Sequence, residues 1–270
     1  MMKRFFAIAL FVLGLGQLYA QPVRDTAWTK AGYFGLKLTQ VSLSSWSAGG
    51  ESALAFDSQI TYSADFKRDR QLWQNRLELG YGLTKNDGKS ARKTNDKIYF
   101  ASTYGYQIYK TLYWSALLNF NTQFAKGYDY NIEDSDFISK FMAPGYLMIG
   151  TGVTWSPNKI FTATFTPASW RGTIVADSRL ADEGAFGVDK GKHLLSEFGA
   201  NLKAEVNYEF LPNMKVYSRL ELYSNYLEDP QNVDVRWEVQ LNMAINKWFS
   251  TTLSTNLLYD NDVKIAQKDG

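Results

Sequence analysis

The sequence predicts an all-β fold, an antiparallel transmembrane up-and-down β-barrel, from three observations. Apolar and polar residues alternate with period two through segment after segment. The connections between these segments alternate short and long, which is how barrels that cross a membrane are built. Tryptophans recur on the apolar side beside short connections, the height at which aromatic rings meet a membrane–water boundary.

The elements follow in chain order. "MMKRFFAIALFVLGLGQLYAQP" opens with basic Lys3 and Arg4, continues apolar from Phe5 to Leu15, and offers the small Ala20. It reads as a signal peptide over 1–20, leaving 21–270 as one barrel domain. Without Lys3 and Arg4 the formal charge falls from +2 to neutral, so no charge excess argues for nucleic acid. The absence of cysteine excludes a lipoprotein anchor, disulfides and thiolate metal sites. No later stretch holds 18 uninterrupted apolar residues, so no transmembrane helix is expected. A mean hydropathy of −0.30 is compatible with strands that are half polar.

Strands are expected at about 31–43, 51–66, 72–84, 97–109, 113–124, 146–155, 160–167, 197–210, 214–226, 235–245 and 248–259. In "NLKAEVNYEF" (201–210) every even position is apolar and every odd one is polar or charged. Residues 235–245 set Trp237, Val239, Leu241, Met243 and Ile245 against Arg236, Glu238, Gln240 and Asn242. Pro157, Pro212 and Pro230 fall between strands, where a missing N–H costs no ladder bond. Short connections are expected near 67–71, 110–111, 156–159, 211–213 and 246–247, and longer ones at 44–50, 85–96, 125–145, 168–196 and 227–231.

An open sheet leaves edge N–H and C=O groups unsatisfied in lipid, so the sheet must close. Eleven strands put both ends of the sheet in the same direction, whereas bacterial single-chain barrels have even counts. The expectation is therefore twelve strands, with the last absent from this chain after residue 270. Such a barrel belongs in the cell outer membrane with its long loops outside and lipid against its apolar face. Trp73, Trp114, Trp155 and Trp237 are its expected interface aromatics. The expected lumen lining is Asp57, Arg76, Glu78, Lys203, Glu205, Arg219, Glu221, Arg236 and Glu238. Their signs are mixed, whereas a selective pore shows a ring of one sign. That favours a structural or partner-binding membrane component holding other envelope proteins, with a narrow diffusion or substrate channel as the alternative.

Catalytic chemistry finds little footing. His193 is the single histidine, in "DKGKHLL", with Ser196 and Glu197 close in sequence. Residues so near along a loop-to-strand junction rarely converge, so no enzyme and no cofactor is expected. Asp129, Glu133, Asp134 and Asp136, like Asp260 and Asp262, supply oxygen ligands but lack the order of a calcium loop. Lys85, Lys89, Arg92, Lys93 and Lys97 form a basic loop able to meet lipopolysaccharide phosphates. Gly49, Gly50 and the glycines of 182–192 read as turns, since no phosphate-loop pattern surrounds them.

Several stretches resemble a family of outer-membrane barrels from Bacteroidota, domain of unknown function 3078. They are "WSAGGESALAF" (46–56), "WQNRLELGYGLTK" (73–85), "NDKIYFASTYGY" (95–106), "NTQFAKGYDY" (121–130), "FMAPGYLMIGTG" (141–152), "FTATFTPASWRGT" (161–173), "EFGANLKAEVNYEF" (197–210) and "LLYDNDVKI" (257–265). The resemblance implies an outer-membrane β-barrel with one more strand than is visible here. The family carries no agreed activity, so it assigns no functional residue.

Overall fold

The computed structural model describes residues 27–42, 51–132, 136–244 and 249–259. The expected signal segment 1–20, the turns at 44–50 and 246–247, and Glu133, Asp134, Asp260 and Asp262 lie outside the described residues.

Eleven long strands form one sheet in which each strand pairs antiparallel with its sequence neighbour. They are β1 (Trp28–Val41), β2 (Ala53–Arg68), β3 (Gln71–Asn86), β4 (Arg92–Tyr109), β5 (Leu112–Thr122), β8 (Gly145–Trp155), β9 (Phe161–Ile174), β10 (Leu194–Leu211), β11 (Met214–Asn225), β12 (Val233–Ala244) and β13 (Ser250–Tyr259). A two-stranded ribbon, β6 (Gly127–Tyr128) with β7 (Phe137–Ser139), sits in the loop between β5 and β8. Because side chains alternate across a strand, the registers sort every position onto one of two faces. Phe66 opposes Trp73, Leu77 opposes Phe100, Leu118 opposes Ile149 and Leu220 opposes Trp237 on the apolar face. The other face carries the charges.

The polar face is the inside of a curl. One cavity of about 80 Å³ is bounded by Gln74 of β3, Thr103 of β4, Asn119 of β5, Thr164 of β9, Lys203 of β10 and Glu221 of β11. Strands six places apart along the sheet, β3 and β11, can share a cavity only if the sheet bends round it. The curl is not closed by hydrogen bonds: β1 and β13 are the two free ends of the strand order. No described helix is long and apolar enough to cross a membrane, which says nothing of strands.

Three boundaries differ from expectation. β9 runs on to Ile174 and contains Pro167, rather than stopping there. The ladders on both its sides shift register nearby, between Thr151 and Val153 on β8 and between Gly199 and Asn201 on β10. A bulge accommodates a residue that cannot donate, so proline survives inside the strand. The expected long connection at 85–96 is a tight one, because β3 reaches Asn86 and β4 starts at Arg92. Gly88 in "NDG" takes φ 69° there, the conformation a short hairpin turn needs. The third loop spans only 175–193 and carries α1 (Ser178–Glu183), whose N-cap Asp177 accepts from the Leu180 N–H.

The two longest loops pack on each other at one mouth of the curl. Ala143, Val175, Leu180, Ala181 and Val188 form a buried cluster flanked by Phe137 and Leu195. Lys140 pairs with Asp177 at 2.5 Å, and the Arg179 guanidinium donates to the Phe137 carbonyl. This cap is the apolar core of the described residues; elsewhere the sheet's apolar side faces outward.

Candidate functional site

The chemistry-bearing surface is the inward face, and its charges form a checkerboard. Across β10, β11 and β12, Lys203 opposes Glu221, which opposes Arg236. One row along, Glu205 opposes Arg219, which opposes Glu238. Each charge thus has opposite signs beside it, both across strands and along its own. Arg219 Nε lies 3.3 Å from Glu205, its Nη1 lies 3.8 Å from Glu238, and Lys203 Nζ lies 3.4 Å from Glu205. Tyr217 donates to Glu205 and accepts from Arg219. Asn201 donates to Glu221.

On the facing wall, Glu78 receives both Arg76 and Lys97 at 2.5 Å. Tyr99 lies opposite Glu78 in the ladder, and the Lys97 ammonium stands 5.1 Å from its ring centroid. Asp57 accepts from Asn95 at 3.1 Å. The structure thus places all nine expected lining residues on one face. Glu205, Arg219 and Glu238 are joined by ion pairs, as are Arg76 and Glu78.

Nearer the capped mouth lies a cluster that sequence alone does not reveal. Arg171 holds Glu197 with two hydrogen bonds, at 2.7 and 2.5 Å, and reaches Asp234 at 3.1 Å. Its guanidinium stacks 4.0 Å from the Tyr223 ring centroid. Glu197 and Tyr223 are each only 5% exposed. The bidentate fork suits a carboxylate that must stay charged out of water. Tyr223 lies over Gly199, where a Cβ would meet its ring. Arg171 follows Pro167 in "TPASWRGT", and a strand read as ending at the proline hides it.

The four expected interface tryptophans all lie on the outward face and are half exposed. Trp73 meets Trp28 with tilted rings at 5.7 Å, and Trp155 meets Phe161 edge-on at 5.6 Å. Trp114 opposes Tyr106 and Val153. Trp237 opposes Leu220 and Leu257 and donates its N–H to Ser218 at 3.0 Å.

Other candidates scatter. His193 Nδ1 engages the Val175 carbonyl, Ser196 accepts from Trp170, and Glu197 faces inward to Arg171. The three do not converge. Asp129 caps Asn131 in a local turn. No group of metal-ligating side chains occurs among the described residues. The basic residues expected in one loop do not share it: Lys85 stands at the end of β3, Arg92, Lys93 and Lys97 belong to β4, and only Lys89 lies in the turn between them. Most have internal partners. Lys89 pairs with Glu51, Lys93 with Asp96 and Lys97 with Glu78, while Arg92 stacks on Tyr130. Lys89 holds the Glu51 carboxyl below its ordinary range.

These features define a class: an antiparallel up-and-down sheet, curled with charges inside and apolar residues outside. Among known families, the model of a protein of unknown function, DUF3078, matches residues 38–128, showing the resemblance over that stretch. A second, also a protein of unknown function, DUF481, matches residues 171–269. No curated protein matches.

Proposed function

We propose that this chain is an integral outer-membrane β-barrel whose interior is occluded, acting as a structural or partner-binding component of the envelope. The observation that carries this is the checkerboard of Lys203, Glu221, Arg236, Glu205, Arg219 and Glu238. Charges that neutralise one another need no permeating ion to balance them, and they tie neighbouring walls together. The cluster that joins the two longest loops stands at one end of the curl, where it can cover the opening. Lipid acyl chains are the partner of the outward apolar face, and envelope proteins are the partner of the loops. Contact with lipopolysaccharide phosphates falls chiefly to Lys85 and Arg92, since Lys89, Lys93 and Lys97 are paired with Glu51, Asp96 and Glu78.

The test is conductance of the refolded full chain in a planar bilayer. A heat-modifiable, membrane-inserted and electrically silent protein is expected; stable steps that depend on ion type overturn occlusion.

A second reading, a narrow channel, is favoured by one observation. The mouth opposite the cap holds an open depression of about 350 Å³ lined by Glu209, Asn213, Lys215, Asn242, Thr251 and Thr252. In that reading the cap is a gate, and trimming it restores conductance.

A further inference from the structure

An up-and-down sheet puts alternate connections at opposite ends, so residues 69–70, 110–111, 156–160 and 212–213 share the end away from the cap. Hydrogen bonds lace these turns to the strands beside them and hold them at one level. The Lys67 N–H donates to the Ala27 carbonyl at 2.7 Å and the Gln107 N–H to Arg70 at 2.7 Å. Ser156 donates to Thr111 at 2.9 Å, and Asn207 to Ile160 at 2.8 Å.

With the last two residues of β2, the four turns carry Lys67, Arg68, Arg70, Lys110 and Lys159 against Asp69 alone. All five cations are exposed, and none forms an ion pair among the described residues. Lys215 and Glu209, beside the fourth turn, pair with each other. The opposite end has no such excess. Its loop 175–193 sets Asp177, Asp182, Glu183 and Asp189 against Arg179, Lys190 and Lys192, and its turn 226–232 holds Glu228 and Asp229 with no base.

Neighbouring short turns are two strand spacings apart, about 10 Å, which is about the Debye length at 0.1 M salt. The fields of their cations therefore overlap, and together they attract an anionic surface. The rings beside them say which kind. Phe66, next to Lys67, meets Trp28 at 5.2 Å, and Trp28 meets Trp73 at 5.7 Å. Trp114 lies four residues from Lys110, and Trp155 lies four from Lys159. Exposed cations just beyond a belt of indoles suit a membrane–water interface, where basic heads reach phosphates and rings sit at headgroup depth. A soluble acidic partner would have no use for the belt.

We infer that this basic rim binds the headgroups of anionic phospholipids. The inference rests on the membrane reading above, in which the long loops lie outside and the short turns meet the inner leaflet.

The probes are brominated phosphatidylglycerol, whose acyl chains quench an indole beside them, and brominated phosphatidylcholine with the same chains. Trp28, Trp73, Trp114 and Trp155, four of the eight tryptophans, stand near this rim and report the lipids around it. In vesicles mixing the two headgroups, inserted and heat-modifiable protein should select phosphatidylglycerol about fivefold, the effect of one basic side chain at an anionic surface. The preference should fall toward parity in 1 M salt, where the Debye length is about 3 Å. It should also vanish in the variant Lys67→Gln, Arg68→Gln, Arg70→Gln, Lys110→Gln, Lys159→Gln, and persist in Lys190→Gln, Lys192→Gln at the other end. Inserted parent protein with no preference, or with one that 1 M salt leaves intact, overturns the rim and leaves the membrane reading standing. A preference that survives in the five-cation variant does the same, and the salt series decides the matter should that variant fail to refold. Protein that stays soluble and folded without detergent overturns the membrane reading and this inference with it.

Discussion

The indole N–H of Trp73 donates to Ser102 Oγ at 2.9 Å, and Ser102 lies two residues from the position directly opposite Trp73 on β4. The same diagonal recurs twice on the outward face. Trp237 donates to Ser218 and Trp170 to Ser196, at 3.0 and 2.6 Å. An indole whose N–H is satisfied inside the protein has no need of water. Such a tryptophan can lie below the boundary of an apolar band, where an unpaired donor is costly.

Ser102→Ala follows directly. Ser102 also donates to Asn75 Oδ1, so its loss orphans two groups, whereas Ser218→Ala orphans one. The expected cost in urea unfolding of the micelle-refolded protein is about 1–3 kcal/mol for Ser102→Ala, and clearly less for Ser218→Ala. Equal costs would show that the diagonal bonds do not carry the effect.

Arg171 gives the largest expected effect. Arg171→Met strands Glu197, which is 5% exposed, and removes a partner of Asp234. Breaking a buried pair from one side costs about 3–5 kcal/mol. The double variant Arg171→Met, Glu197→Met removes both charges and should recover much of that loss. A double variant less stable than the single one in the same unfolding series sinks this account of the cluster.

What the sequence reveals and what it conceals divide along physical lines. Period-two alternation locates eleven strands because each keeps one face largely apolar over eight or more residues, and the same parity points Arg76, Glu205 and Arg236 inward. Pairing is another matter. That Glu205 opposes Arg219 and Arg219 opposes Glu238 depends on register, which bulges and turn geometry set. Pro167 misleads because a bulge two strands wide, invisible locally, makes room for it. The cap hides for the same reason. Val175, Leu180 and Val188 form a core only because two distant loops meet, although Asp177 and Gly184 are ordinary helix start and stop signals.

The cap should weaken in acid. The Lys140 ammonium first, and the Leu180 N–H second, hold the Asp177 carboxyl below its ordinary value of 3.8. As pH falls, the unfolded loop therefore takes up its proton before the folded one. The contribution is whole at neutral pH, begins to fade as pH nears 3.8, and is lost as pH passes through the lower folded value. Asp177→Asn removes the ion pair at every pH. Amide exchange at Leu180 and Ala181 should show wild-type protection falling only in acid. The variant should be less protected at pH 7 and flat below it. Wild-type protection that rises on acidification contradicts the linkage.

Gly199 tests whether the interior is close-packed where the checkerboard meets the cap. A Cβ built there collides with the Ser224 carbonyl oxygen on β11 and presses on the Tyr223 ring. The first of these is backbone and cannot rotate away, so Gly199→Ala must push β10 from β11 at the level of the register shift. Gly105 offers a matched control on β4, where the nearest atoms to a new Cβ stand at 3.6 Å, an ordinary contact. Overpacking a rigid site costs about 1–3 kcal/mol or more. Gly199→Ala should therefore lose most of its heat-modifiable folded form on refolding, while Gly105→Ala folds like the parent. If both fold alike, the inward wall yields at Gly199, and the interior is looser than its buried Glu197, Asn201 and Tyr223 imply.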